Sequence, residues 1–104
     1  MKPNMQNIMK QAQQMQAQMA RVQDELKDER VSASVGGGVV RVEMSGDLRV
    51  TNVVIDPTAV DPDDVHMLED LVEAAVNEVL RMAQEVASTK MQSVTGGMSI
   101  PGMM

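Results

Sequence analysis

The 104-residue chain contains no cysteine, phenylalanine, tyrosine or tryptophan. The absence of cysteine excludes disulfides, thiolate catalysis and zinc sites built on sulfur, and it is compatible with a reducing compartment. The absence of aromatic rings argues against recognition that depends on stacking exposed bases. The 12 methionines must therefore supply the core volume that aromatic side chains usually fill, which their flexible thioethers allow.

Long apolar runs are absent too. No segment approaches the run of about 18 apolar residues that a membrane-spanning helix needs, and the N-terminus lacks the apolar region of a signal peptide. We therefore expect a soluble, cytoplasmic protein without a membrane partner. The length fits one domain, which we place at residues 1–97, followed by a flexible tail at 98–104. Because a domain of this size buries a modest share of its surface, self-association is favoured.

Negative charge is missing from one end of the chain. The first 23 residues hold no carboxylate, although the whole protein carries a net charge of −6. The cations of this segment are Lys2, Lys10 and Arg21. Acidic residues concentrate between positions 51 and 85, where nine of them are accompanied by a single cation, Arg81. The positively biased surface is therefore confined to the N-terminal segment.

The N-terminal segment has the apolar periodicity of a helix that packs along its length against another helix. Its apolar residues recur at alternating spacings of three and four, which is a heptad pattern. Helix-favouring residues occupy the other positions, so we predict a helix from Pro3 or Asn4 to near Arg30. We call the apolar series the seam; it consists of Met5, Ile8, Ala12, Met15, Met19, Val22 and Leu26.

The central residues alternate between apolar and polar, which predicts strands. We expect a meander of three antiparallel strands, at residues 31–35, 39–44 and 48–55. Gly36–Gly38 can adopt the positive φ angles of the first turn, and residues 45–47 form the second. Pro57 follows the last strand and ends it, because proline cannot donate to the ladder.

A second long helix follows the strands. Asp61 suits its N-cap because a carboxylate accepts hydrogen bonds from the unpaired amides of the first turn, and Pro62 suits the first helical position. The helix should end near Ser93, before Gly96-Gly97. It has its own heptad series: Val65, Leu68, Val72, Ala75, Val79, Met82 and Val86. The predicted fold class is α+β, with a long N-terminal helix, a three-stranded antiparallel meander and a long C-terminal helix.

The predicted helices are much longer than the predicted strands. Helices of about 26 and 31 residues would be about 39 and 46 Å long, whereas a strand of about six residues spans about 20 Å. The overhanging apolar faces need the other helix, a second protomer or a kink. Two overhanging helices that pair would form a projecting arm, and a sheet with free edges could pair across a twofold axis. We therefore expect a homodimer with two projecting helical arms.

Six short segments carry a resemblance to a known family: Met9–Gln16, Gly36–Val40, Ile55–Pro57, Met67–Leu71, Ala74–Asn77 and Gly96–Met98. In this order they resemble the YbaB/EbfC family of bacterial nucleoid-associated proteins over nearly the whole chain. The resemblance implies a homodimer that joins through its β-rich cores and embraces double-stranded DNA with tweezer-like arms. It also implies altered DNA conformation, nucleoid organisation, and a role in gene regulation or DNA protection. Two features differ from the pattern of the family: the segment before Met9 is short, and the overall composition is acidic.

Polar residues on the N-terminal helix are the candidate DNA contacts. A stripe away from the seam consists of Asn7, Lys10, Gln14 and Arg21, and we call it the polar stripe. Its cations would contact phosphates, and its amides would add hydrogen bonds without sequence readout. Lys2 and Lys90 are further candidates. We expect weakly sequence-selective binding to double-stranded DNA, and no cofactor, metal or small-molecule substrate.

Other interpretations of the same residues stay open. A helix, β-hairpins and a second helix are also similar to prefoldin-like chaperones, so a coiled-coil protein-interaction or chaperone module is the alternative function. A glutamine-rich helix is also typical of a solvated coiled coil. No nucleophile is visibly placed to use His66, so no enzymatic activity is expected. An acidic cluster lacks the glycine and terminal glutamate of an EF-hand loop, which favours helix capping over metal binding; it consists of Asp56, Asp61, Asp63 and Asp64.

Overall fold

The computed structural model describes the backbone of residues 5–96 and the side chains of residues 5–94. Its two long helices and three-stranded antiparallel sheet confirm the predicted α+β class. In chain order the elements are α1 (Met5–Leu26), β1 (Arg30–Val35), β2 (Val40–Ser45), β3 (Val50–Ile55), a 3₁₀ helix (Pro57–Ala59) and α2 (Val65–Gly96). Lys2 and the predicted tail at 98–104 lie outside the described residues.

Helix α1 ends earlier than the sequence predicts. It stops at Leu26 rather than near Arg30, and the Glu29 amide then donates to the Leu26 carbonyl at 3.2 Å. Arg30 becomes the first residue of β1, where it pairs with Ser45 of β2. The pairing of β1 with β2 therefore overrides the helix propensity of residues 27–30.

The sheet has the order β1-β2-β3, and both neighbouring pairs are antiparallel. The three glycines of the first turn have φ angles of 64, 77 and 98°, as their predicted role requires. β3 starts at Val50 rather than at the predicted Leu48, because Leu48 adopts a φ of 67° within the second turn. A register shift between Glu43 and Met44 then places Met44 opposite Val50.

The start of α2 also differs from the prediction. Asp61 is not its N-cap: the helix begins at Val65, and the Asp64 carboxylate accepts the Met67 amide at 3.2 Å. Asp61 instead caps a turn before the helix, where its carboxylate accepts the Asp63 amide at 2.9 Å. Several aspartates in this segment can cap a turn, and the chain geometry after β3 selects which one precedes the helix.

Asp56, at the beginning of the acidic cluster, caps the 3₁₀ helix. Its carboxylate accepts the Thr58 amide at 2.9 Å and the Thr58 hydroxyl at 2.8 Å. These hydrogen bonds favour the ionised carboxylate, so they lower the pKa of Asp56 below its ordinary value. Asp56, Asp61 and Asp64 thus all bind backbone amides, which is the capping role that the sequence favours.

Helix α2 packs on β1 and β2 and leaves β3 uncovered. The completely buried residues of α2 are small: Ala75, Val79 and Ala83. Larger, partly buried residues of the helix, including Leu68, Leu71 and Leu80, pack around them. The buried side chains on the sheet are Ala33 of β1 and Val40, Val42 and Met44 of β2. All six residues of β3 are exposed. The core is therefore a two-layer contact over two strands, and β3 is an apolar edge strand.

The molecule is elongated, measuring 74 × 26 × 16 Å with a radius of gyration of 20.3 Å. A compact domain of this length would have a radius of gyration of about 13 Å. Helix α2 continues to Gly96, past its predicted end near Ser93, and its 32 residues extend well beyond the strands of six residues. The end of α1 packs against this extension, where Lys90 lies 3.2 Å from Glu25. α1 therefore projects from the end of the sheet.

The seam of α1 is buried only at its C-terminal end. Val22 and Leu26 are 6% and 5% exposed, whereas Met5, Ile8 and Met19 are 70%, 49% and 37% exposed. Among the described residues, the predicted packing therefore does not extend along the whole seam. We call the projecting part of the helix, Met5–Arg21, the arm.

Gly46 allows the base of α1 to approach the second turn closely. A methyl group there would lie 2.8 Å from both the carbonyl oxygen and Cδ2 of Leu26. We expect Gly46→Ala to lower the free energy of unfolding by about 1–3 kcal/mol, because the Leu26 backbone would have to move. Urea denaturation measures the loss. Ser34→Ala, on the exposed face of β1, should stay within about 0.5 kcal/mol; an equally small effect at Gly46 would contradict this packing.

Candidate nucleic-acid interface

The polar stripe lies on an exposed face of the arm. Its members, Asn7, Lys10, Gln14 and Arg21, are all exposed. Helical geometry places them within an arc of about 60° and along about 21 Å of the axis, on the side away from the seam. α1 therefore brings together the four predicted contacts that share this helix.

The two cations of the polar stripe are available to an external anion. Among the described residues, neither Lys10 nor Arg21 has a carboxylate within ion-pair distance. The first acidic residue of the chain is Asp24, at the base of the arm. An anion that approaches the arm therefore meets positive charge without competing carboxylates.

Lys90 lies at the base of the arm and not on the polar stripe. Its ammonium nitrogen is 3.2 Å from a carboxylate oxygen of Glu29 and 3.2 Å from one of Glu25. The hydrogen bonds to Glu29 and Glu25 favour the charged ammonium and raise the pKa of Lys90. Because these contacts join α2 to the end of α1 and to the residue before β1, Lys90 positions the arm.

Other cations outside the arm are also paired with carboxylates. The partners are Glu78 and Glu85 for Arg81, Asp24 for Lys27 and Glu43 for Arg30. The Arg81 guanidinium lies 2.8 Å from Glu78, and its hydrogen bond and charge lower the pKa of that carboxyl group. These cations are therefore less available to a ligand than the two on the arm.

Two further exposed cations, Arg41 of β2 and Arg49 in the turn before β3, were not predicted as candidates from the sequence. In the part of the chain that the structure describes, neither has a carboxylate within ion-pair distance. Arg41 lies on the face opposite α2, because it alternates with buried residues of β2. Arg49 lines a polar pocket of about 320 Å³ together with Lys27 and Arg30. The alternation of apolar and polar residues in β2 could have identified Arg41 as an exposed cation.

The acidic residues of α2 are separated from the arm. α1 and α2 meet where Lys90 contacts Glu25, and the elongated shape requires that the arm and the sheet-covering part of α2 extend from there in opposite directions. Lys10 lies about 22 Å beyond Glu25 along α1. This distance exceeds the screening length of about 8 Å at physiological salt. The net charge of −6 therefore does not describe the local field at the arm.

The described residues form no group of three side chains that could hold a metal ion. His66 is exposed, and its nearest carboxylate, from Asp70, is 3.9 Å away on the same helix. Neither of the two described helices combines the length and apolar character that crossing a membrane requires. The exposed arm is thus the strongest candidate site that the described residues offer.

Sequence comparison identifies the class of protein to which this arrangement belongs. The profile of the YbaB/EbfC DNA-binding family matches residues 1–98. The chain therefore belongs to the YbaB/EbfC family, as the six segments predict. The family is defined by DNA binding and not by an enzymatic activity.

Relatives from several bacteria are named nucleoid-associated proteins. The one from Alkaliphilus metalliredigens is 52% identical over 101 residues, which cover 97% of this chain and 89% of the relative. The one from Moorella thermoacetica is 52% identical over 99 residues, covering 95% of each chain. The crystal structure of an uncharacterized protein from Helicobacter pylori matches with a TM-score of 0.76 at 16% identity, over 93% of this chain and 98% of that one. This last match shows a shared fold.

The ion pairs of Lys90 should hold the base of the arm in place. We expect Lys90→Gln to accelerate amide hydrogen exchange at residues 22–26, because α2 then lacks its charged contacts to Glu25 and Glu29. Hydrogen exchange followed by mass spectrometry measures the change. Lys27→Gln is the matched control, since its partner Asp24 lies on α1 itself. Equal exchange in both variants would show that Lys90 does not position the arm.

Proposed function

We propose that this protein binds double-stranded DNA through the polar stripe of the arm, with little sequence preference, as a homodimer associated with the nucleoid. One observation carries the proposal: Lys10 and Arg21 are exposed, without an ion-pair partner among the described residues, on a projecting segment that has no acidic residue. Membership of a DNA-binding family and the names of the relatives support it.

The chemistry of the polar stripe suits the phosphate backbone. Lysine and arginine attract phosphates electrostatically, and the amides of Asn7 and Gln14 can hydrogen-bond to phosphate or sugar. The stripe extends about 21 Å, which corresponds to about six base-pair steps of 3.4 Å. Such contacts fix position on a duplex without identifying bases, so we infer weak sequence preference. Lys2 remains a further candidate contact. Lys90 could contact a phosphate only by giving up its ion pairs with Glu25 and Glu29.

β3 supports the homodimer part of the proposal. Its apolar side chains are uncovered, with Val50, Val53 and Val54 between 48% and 51% exposed. The edge of β3 also has unpaired backbone groups, because the sheet ends there within the described residues. Pairing of two such edges would bury the apolar side chains and the unpaired backbone groups of β3. It would also place two arms on one dimer. A duplex held by two arms could be bent or constrained, which is our basis for proposing altered DNA conformation, gene regulation or DNA protection.

The exposed seam favours a second candidate function. Met5, Ile8 and Met9 are 70%, 49% and 59% exposed, and flexible methionines suit the capture of unfolded chains. A prefoldin-like chaperone would use this face and not the polar stripe. The two functions are therefore separable by substitutions on opposite faces of one helix.

Neutralising the polar stripe should abolish most DNA binding. Wild-type dimers that neutralise about four to six phosphates would show a slope of log K against log salt of about −4 to −5. Lys10→Gln with Arg21→Gln removes four charges per dimer, so the slope should fall in magnitude to about 1. Fluorescence anisotropy with a random-sequence duplex at several salt concentrations measures it.

The matched control for this experiment is Lys27→Gln with Arg81→Gln, which changes the net charge equally but removes ion-paired cations outside the arm. This control variant should keep most of the wild-type slope of log K against log salt. Equal losses in both variants would assign the effect to net charge and remove the polar stripe from the proposal. Suppression of client aggregation by the stripe variant, together with no wild-type DNA binding, would favour the chaperone function.

A charge on β3 should prevent dimer formation. We expect Val53→Glu to sediment as a protomer of 11.3 kDa, because a buried carboxylate at the paired edges would be unfavourable. Ser34→Glu places the same charge on β1, the other edge strand, and should leave the wild-type mass unchanged. Sedimentation equilibrium distinguishes the two. Dissociation by Ser34→Glu alone would assign the interface to β1.

A further inference from the structure

We propose that the exposed seam of the arm pairs in antiparallel orientation with the same seam of a second copy, and so links particles arm to arm. The occupant is therefore another α1 helix of this protein. The inference concerns the face of α1 opposite the polar stripe, so it does not depend on the proposed DNA contact.

Most of the seam is uncovered in the part of the chain that the structure describes. Met5, Ile8 and Met19 are 70%, 49% and 37% exposed, and the neighbouring Met9 is 59% exposed. Helix formation in isolation is weakly favourable, and most helical stability in proteins comes from packing an apolar face. The arm has such a face, and no described element packs on most of it.

The exposed seam continues an interface that already exists. Its heptad positions at Val22 and Leu26 are buried at the base of α1, and the same spacing runs on through Met19 to Met5. A heptad series is the pattern by which one helix packs against another. The described part of α2 ends at Gly96, only six residues beyond Lys90, so it reaches about 9 Å past that contact. No other element among residues 5–96 can therefore cover the outer seam, and we assign this cover to a helix from another molecule.

The seam is complementary to itself in one antiparallel register. Positions whose numbers sum to 27 then lie opposite each other, which places Ile8 opposite the partner's Met19 and Ala12 opposite the partner's Met15. The two layers beside the twofold axis each place the small Ala12 opposite the large Met15, which suits interdigitated packing, and the outer layers join two flexible or branched apolar side chains. The twofold axis would pass between positions 13 and 14. Each arm then contributes four exposed or half-exposed seam residues to the contact.

Charge permits this self-association. The residues beside the seam in this register are Met9 and Gln11, which would lie near the partner's Gln16 and Gln18, and all are uncharged. Like charges at such flanking positions would oppose pairing, and none occur here. Lys10 and Arg21 lie on the opposite face of α1 and would point outward. A linked pair of arms could therefore present both polar stripes to separate DNA segments.

The first test compares the mass of variants at increasing protein concentration without DNA. Ile8→Glu with Met15→Glu places two carboxylates in the seam, and Asn7→Glu with Gln14→Glu adds the same charge on the opposite face. Wild type and the Asn7→Glu/Gln14→Glu variant should each reach at least twice the mass of the seam variant in sedimentation experiments, because each dimer has two arms that can pair. The larger species should persist at high salt, because salt screens charges and not apolar contacts. Equal masses for all three proteins would overturn the proposal.

The second test uses the absence of cysteine from the chain. Ala12→Cys and Met15→Cys proteins are oxidised separately and as a mixture, and disulfide-linked chains are counted on a non-reducing gel. Antiparallel pairing in the proposed register gives strong cross-linking only in the mixture, because position 12 lies opposite position 15. Cross-linking within each single variant would indicate parallel arms. That result, or no cross-linking in the mixture, would contradict the proposal, as would a seam that binds only an added unfolded protein.

Discussion

The packing of α2 across β1 and β2 is the interaction on which the other features of this structure depend. Its buried positions Ala75, Val79 and Ala83 allow close contact with a sheet of short strands. One helix of 32 residues covers two strands and then runs past the sheet. Its N-terminal part leaves β3 bare, and its C-terminal part supports the base of α1. The edge for dimerisation and the projecting arm thus have a single structural cause.

The same packing separates the charges of the molecule. Most acidic residues of the second half of the chain lie on the part of α2 that covers the sheet or in the segment before it. The first carboxylates beyond the arm, those of Asp24 and Glu25, are paired with Lys27 and Lys90. An acidic protein can therefore present a locally cationic helix, because the screening length of about 8 Å is shorter than the distance of about 22 Å from Lys10 to Glu25 along α1. Association with DNA is governed by this local charge, while the overall charge opposes the approach of the whole particle.

The two faces of the arm have different chemistry and, in our account, different partners. The polar stripe offers cations and amides to phosphates, whereas the seam offers methionines to another helix. Because the faces lie on opposite sides of one helix, both can be occupied together. A protein of this size could in that way connect separate DNA segments without a second DNA-binding domain.

Much of this structure could be predicted from the sequence because local patterns determine it. Periodicity gave the order of helices and strands, Gly36–Gly38 gave the first turn, and spacing gave the polar stripe. Features that depend on tertiary contacts were not predictable. α1 ends at Leu26 because β1 needs Arg30, and Asp64 rather than Asp61 caps α2 because of the chain path after β3.

The role of Lys90 at the candidate site also depends on tertiary contacts that the local sequence does not predict. As one cation in an acidic half of the chain, it looked available to DNA, but its carboxylate partners are 65 and 61 residues away in sequence. Likewise, a heptad pattern predicts that a helix needs a partner, but it does not say which element or molecule supplies that partner. Long-range contacts decide both questions, and no local pattern encodes them.

Hydrogen exchange with and without a random-sequence duplex tests directly whether the arm contacts DNA. DNA should slow amide exchange in the arm, Met5–Arg21, and leave exchange in the buried strand β2 unchanged. Peptide fragments a few residues long are sufficient to measure exchange in the arm and in β2 separately. Slowing confined to the sheet, or no change in the arm under conditions where the duplex is bound, would contradict the account.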